Sequence, residues 1–402
     1  MRLRNALLAG GRRADVELAD GRIAAIGAPA PSDGATLDLD GALLIPAFVE
    51  GHIHLDKTHW GAPRLPHIAG DSVRERIAIE REGRHRVALP VVERASALIR
   101  TLIGNGTTRV RSHVDIDGDV KLANLEAVLE ARERWRHLID IQLVAFPQSG
   151  ILREPGARDL LAAALTTGAD LIGGLDPHGF DGDIEGHLNV VFGLAETYGR
   201  DVDIHLHDGG ETGAATLRAI ADRAEALGMQ GRVAVSHAFA LGDLSRQTFE
   251  ATAARLAKAE VSIMTSSPST VPVPPLKALR DRGVRVFAGS DNICDFWSPF
   301  GNGDMLDRAA ILAQRQGLAS DADLELAFAA ATRAGDEALG DPQRGLRVGA
   351  VADLVVLRVA SVADAVVNRP QRAFVLRAGE IVAKDGLCLV SPNQPAIQEP
   401  ET

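Results

Sequence analysis

Eight short runs of β-branched and apolar residues recur along the middle of this chain, each followed by an Ala-, Arg-, Glu- and Leu-rich stretch of helical period. Residues 43–54, 107–115, 140–147, 170–176, 202–208, 232–238, 261–267 and 285–291 read as the strands. Parallel neighbours need a crossover between them, and the intervening segments are helical, so each unit is a βα repeat. Eight such units predict an α/β fold built on a (β/α)8 barrel. The two ends of the chain break this rhythm. Residues 14–27 alternate like a hairpin turning at Asp20-Gly21, and residues 351–386 hold two further strands with a turn at Ala378-Gly379. We therefore expect residues 43–345 to form the barrel, and 1–42 with 346–402 to form one small discontinuous β-sandwich. The polar, proline-bearing tail from Ser391 is expected to fray.

Composition narrows the class of function. A formal net charge of −11 argues against nucleic acid and anionic membrane surfaces, which reward basic patches. The N-terminal residues lack a signal-like apolar core, and nothing later is long and apolar enough to span a bilayer. Cys294 and Cys388 are too few for a disulfide framework, which fits a reducing, cytoplasmic setting. The expected partner is a small molecule, and homo-oligomerisation is left open.

Polar residues fall where a barrel does its chemistry, at the C-terminal ends of the strands. The first strand ends in His52-Ile53-His54, and a side-chain period of two puts both imidazoles on one face. The second gives His113 and Asp115, the third Gln148, the fourth Asp176, the fifth His205, His207 and Asp208, the sixth His237, and the eighth Asp291 with Asn292. His52, His54, His205 and Asp291 would offer three nitrogen donors and one carboxylate, a set suited to zinc or ferrous iron with room for water. Such a water is a nucleophile at neutral pH. A lone histidine is more often structural than ligating, so His113 and His207 are read as supporting the ligands from behind.

The local strings carry a resemblance. GHIHLDKT, RSHVDID, AFPQSGI, SHAF and GSDNICDFWSPFGNGDM, in that order, resemble the amidohydrolase superfamily and within it the cytosine deaminase branch, over residues 40–310. The resemblance implies one divalent metal, zinc or iron, on His52, His54, His205 and Asp291, with His237 polarising the hydrated carbon and Gln148 bonding the ring. Bridged two-metal barrels often carry a carbamylated lysine on the fourth strand, but the lysines here stand at 57, 121, 258, 277 and 384. Lys57 stands where cytosine deaminases have a small polar residue, and Asp208 where they have a proton-shuttling Glu. Both departures, with the string FGNGDM, look more like the triazine hydrolases that release isopropylamine from N-isopropylammelide. The implied activity is hydrolytic loss of ammonia or an alkylamine from an amino-substituted pyrimidine- or triazine-like ring. Asp208 or Asp291 would handle the proton, Lys57 and Asn292 would contact the substrate, and Trp297 and Phe296 would stack on the ring. The rival readings are ring-opening hydrolysis of a cyclic amide and a noncatalytic binding role.

Overall fold

Why the first run of apolar residues stops and restarts is visible in the computed structural model, which describes residues 1–27 and 34–392. Residues 43–54, read as one strand, are two. Leu43–Pro46 joins an outer sheet, where it pairs antiparallel with Leu354–Leu357 and parallel with Arg2–Leu7. Pro46 has no N–H with which to continue a ladder, and the chain passes through Ala47 into the barrel strand Phe48–Ile53.

The outer sheet contains nine strands among the described residues. Its N-terminal hairpin is Arg13–Ala19 against Arg22–Gly27, turning at Asp20-Gly21, and its C-terminal hairpin is Arg372–Arg377 against Glu380–Lys384, turning at Ala378-Gly379. Both turns lie where the sequence places them. The tail beyond residue 392 lies outside the described residues.

The second sheet is the barrel, eight parallel strands in sequential order. They are β1 Phe48–Ile53, β2 Thr107–Asp115, β3 Asp140–Phe146, β4 Leu171–Leu175, β5 Asp201–Leu206, β6 Val233–His237, β7 Ser262–Thr265 and β8 Val286–Ala288. Every residue of β1, β2 and β4 is buried, as expected of strands covered by helices on one face and filling a barrel on the other.

The seam between β8 and β1 is short. Its backbone link is the Asp291 N–H donating to the His52 carbonyl at 2.8 Å, with an isolated bridge between Ile53 and Asp291. The two strands approach so closely that a Cβ on Gly51 would lie 2.5 Å from the Phe287 ring, and one on Gly289 would lie 2.6 Å from the His52 Cβ. Only glycine fits there. Glu50 reinforces the seam, its Oε1 accepting from Ser290 N at 2.7 Å and from His52 N at 3.3 Å.

At the opposite end of the barrel, the helix Arg333–Ala338 forms a plug. Arg109 donates to the Asp336 carboxylate and the Leu339 carbonyl, and Arg111 to the Ala338 carbonyl. No helix among the described residues is long and apolar enough to cross a membrane.

Candidate active site

Alternation along β1 puts the rings of His52 and His54 at the open end, centroids 5.4 Å apart, with Asp291 facing both. Asp291 Oδ1 lies 3.6 Å from His52 Nε2 and 3.4 Å from His54 Nε2. His205, on β5, brings its ring to 4.7 Å from His52 and stacks on Phe146 at 4.1 Å. His237 closes the group from the end of β6, 5.0 Å from His205 and 5.3 Å from His52. His237 and Asp291 both have positive φ, 74° and 63°, a conformation that costs energy for a side-chain-bearing residue and clusters at functional sites.

Burial keeps His52, His205 and His237 neutral. It holds His52 and His205 well below the usual histidine range, helped by the neighbouring rings, and lowers His237 to about 3, with His207 adding to the effect. Burial opposes ionisation of Asp291, but the ring of histidines outweighs it and its pKa is lowered. Neutral donors beside a carboxylate are what a divalent ion needs. Ligating atoms of His52, His237 and Asp291, and separately of His52, His113 and His205, lie within 4.8 Å of one another. Buried nitrogens of His52, His54, His205 and His237 have no hydrogen-bond partner in the protein, so the residues present fit a metal.

His113 is buried and stacked on His52 at 4.0 Å, with both ring nitrogens unpartnered. His207 is the more connected of the two residues expected to act from behind. Its Nδ1 lies 2.9 Å from Asp176 Oδ2, its backbone N–H donates to Asp176 Oδ1 at 2.6 Å, and its ring stacks on His237. Burial would lower the pKa of His207, but Asp176 overrides it and the net shift is upward. Asp208 is occupied by the backbone, its Oδ2 accepting from Gly179 N at 2.9 Å.

Lys57 is buried, donating to Gln148 Oε1 at 2.7 Å and Glu80 Oε2 at 3.0 Å, and it forms an ion pair with Asp115, its Nζ 3.1 Å from Oδ1. Gln148 therefore has its oxygen fixed by Lys57, while its buried Nε2 has no partner. Trp297 donates Nε1 to the same Glu80 oxygen at 2.5 Å, and Lys57 lies 5.1 Å from the Trp297 ring. Asn292 bonds Asp295, which also accepts from the backbone of Trp297 and Ser298 and so shapes this loop. Phe296, expected to stack on a ring, packs edge-on against His59 at 4.5 Å and beneath Gly83.

Two contributors escape the sequence reading. Glu80 sits on the helix Val73–Gly83, started by Ser72 accepting from Glu75 N, and nothing in its helical neighbourhood marks it as facing the site. His187, in a stretch that suggests no special role, is buried with Nδ1 2.7 Å from Asp181 Oδ2. That carboxylate also accepts from Ile151 N and Leu152 N and so steadies the loop that carries Gln148.

Known proteins resemble this chain in sequence and fold. N-isopropylammelide isopropyl amidohydrolase of Pseudomonas sp. (strain ADP) is 36% identical over 358 residues, 87% of this chain and 88% of that protein. The crystal structure of N-isopropylammelide isopropylaminohydrolase from Burkholderia multivorans superposes with a TM-score of 0.93 at 43% identity, covering 96% of this chain and 99% of that one. The 5-methylcytosine deaminase of Klebsiella pneumoniae, liganded with 5-fluorocytosine, superposes with a TM-score of 0.85 at 28% identity over the whole of both chains. The family model described as "Amidohydrolase family" matches residues 35–383, which takes in the whole barrel and leaves out the three N-terminal strands of the outer sheet. With histidines from β1, β5 and β6 and the aspartate beyond β8 gathered at the mouth of that barrel, the chain belongs to the amidohydrolase family.

Proposed function

We propose that this protein is a metal-dependent hydrolase that removes an alkylamine or ammonia from an amino-substituted, oxo-rich triazine or pyrimidine ring. The observation that carries the reading is that imidazole nitrogens of His52, His54, His205 and His237 and the Nε2 of Gln148, all from the C-terminal ends of barrel strands, are buried and unpartnered. A single zinc or iron ion on His52, His54, His205 and Asp291 would supply Lewis-acid activation of water when bound.

The chain's own groups divide the remaining work. Gln148 donates from Nε2 to a ring oxygen or nitrogen, and Lys57 meets the ring through Gln148 by holding its Oε1. Neutral His237 donates to the oxygen arriving at the amino-bearing ring carbon. His207, oriented and kept protonated by Asp176, gives its proton to the exocyclic nitrogen and regains one from the attacking water. The carbon–nitrogen bond then breaks, the amine leaves with the proton from His207, and the ring keeps the oxygen as a carbonyl while the water's second proton goes to the adjacent ring nitrogen. This assigns to His207 the proton step that the sequence suggests for Asp208. Ile77, Phe146, Leu175 and Phe180 form a buried apolar cluster with Val73 and Trp297 packed on it, a wall suited to an N-alkyl group.

The reading agrees with what the two ammelide hydrolases are named for. Amine release assayed across N-alkylammelides, ammelide, cytosine and 5-methylcytosine tests it. Turnover of the N-alkylated triazines is expected to lead, preference for 5-methylcytosine would move the substrate class to pyrimidines, and ring opening without amine release would overturn the reading.

A further inference from the structure

Beneath the metal ligands, the barrel interior holds a line of polar groups that the reaction above does not use. His52 Nδ1 lies 2.8 Å from the Ser236 hydroxyl, which donates to Asp203 Oδ1 at 2.7 Å, and Arg111 Nη1 donates to Asp203 Oδ2 at 2.9 Å. Arg111 is anchored in turn by Gln142 Oε1 and by the Ala338 carbonyl of the plug helix. His52, Ser236 and Asp203 are wholly buried and Arg111 nearly so. Period-two alternation puts Asp203 one layer below His205, and Arg111 one layer below His113.

The line has a direction. Arg111 has only donors, so Asp203 beside it serves as an acceptor. The Ser236 hydroxyl has one hydrogen, and it goes to Asp203. Ser236 can then offer His52 only a lone pair, so Nδ1 must bring the hydrogen. A neutral imidazole carries one, which leaves Nε2 bare, and Nε2 is the nitrogen turned toward Asp291.

We infer that Ser236 and Asp203 are positioning residues for the metal, committing His52 to the tautomer whose Nε2 lone pair faces the ion. The inference rests on the metal reading of His52. Groups that hold a ligating histidine through its other nitrogen are typically worth about 10–100-fold in metal affinity.

Zinc affinity of the full-length protein, measured by competition with a chromogenic chelator, is the test. Ser236→Ala is expected to weaken zinc binding about 10–100-fold while the zinc-free protein keeps its circular dichroism and Tm. Ser236→Thr, which retains the hydroxyl, is expected to bind zinc like wild type. Equal zinc affinity in wild type and Ser236→Ala overturns the inference and leaves the metal reading standing, whereas a wild-type protein that takes up no zinc or iron overturns both. Neutron diffraction from the zinc-loaded wild-type protein gives the answer even if Ser236→Ala does not fold. Deuterium on His52 Nδ1, with the Ser236 deuterium turned to Asp203, supports the inference, and a Ser236 deuterium turned to His52 overturns it.

Discussion

The rings of His207 and His237 lie face to face, centroids 4.6 Å apart and planes 26° from parallel, yet their proton affinities are driven in opposite directions. Asp176 raises the pKa of His207, while burial and the adjacent His207 lower that of His237 to about 3. The proton of the pair therefore resides on His207. As pH rises through its elevated pKa, His207 loses the proton that the leaving amine needs, so the alkaline limb of the rate profile is expected above the ordinary histidine range. Asp176→Asn should move that limb to lower pH and cost about 10²-fold in kcat. The same pairing gives stability that is fully present below the unfolded histidine pKa and is lost as pH rises through the folded one. Tm measured against pH for wild type and Asp176→Asn should converge on the alkaline side. A limb that stays in place in the variant would remove His207 from the proton step.

Asp208→Asn is expected to change amine release by no more than a few-fold, because the amide oxygen can still accept from Gly179 N. His207→Gln should cost about 10²-fold or more. A large loss in Asp208→Asn with metal content intact would return the proton step to Asp208.

Gln148→Glu should keep the bond from Lys57 but lose the donor to the ring, a loss of about 1–3 kcal/mol, roughly ten- to a hundredfold in kcat/KM. Lys57→Met removes the cation between two buried carboxylates, and about 3–5 kcal/mol of stability should go with it. Thermal melts alongside kinetics on oxo-rich and neutral rings check this. If Lys57 acts through Gln148, both classes of ring lose activity alike. A loss confined to oxo-rich rings would show that Lys57 touches the substrate itself.

Elemental analysis of purified protein is expected to find close to one divalent ion per chain, and His54→Ala or Asp291→Ala to lose it. Two ions per chain at full activity would overturn the single-ion reading.

Gly289→Ala should be disproportionately damaging for a single methyl group, because its Cβ would meet His52 rather than a flexible side-chain end. A drop of about 1–3 kcal/mol in stability is expected, together with weaker metal binding. Normal metal content in the variant would mean that the seam yields without moving His52.

The barrel, both terminal hairpins and the inward-facing histidines were legible because each follows from a local period: two for strands, 3.6 for helices, and two-residue turns at Asp20-Gly21 and Ala378-Gly379. The break at Pro46 was not, since an apolar run long enough for two strands looks the same whether it pairs with one sheet or two. Asp176 was visible at a strand end, but its bond to His207 joins residues 31 positions apart through neighbouring strands. Glu80 and the Ser236–Asp203 pair were hidden for the same reason. Their meaning lies in which acceptor each donor reaches, and periodicity says which face a residue takes but not whom it meets there.

The link across the β8–β1 seam has a consequence for how this molecule comes into being. The bond that completes the ring of strands is made by the backbone of Asp291 to the backbone of His52, residues whose side chains face each other at the mouth. A chain that has closed its barrel has thereby brought together the first and last of the residues proposed to hold the metal, and one that has not closed it keeps Asp291 apart from His52 and His54. Closure of the barrel and completion of the proposed four-residue set are therefore one event.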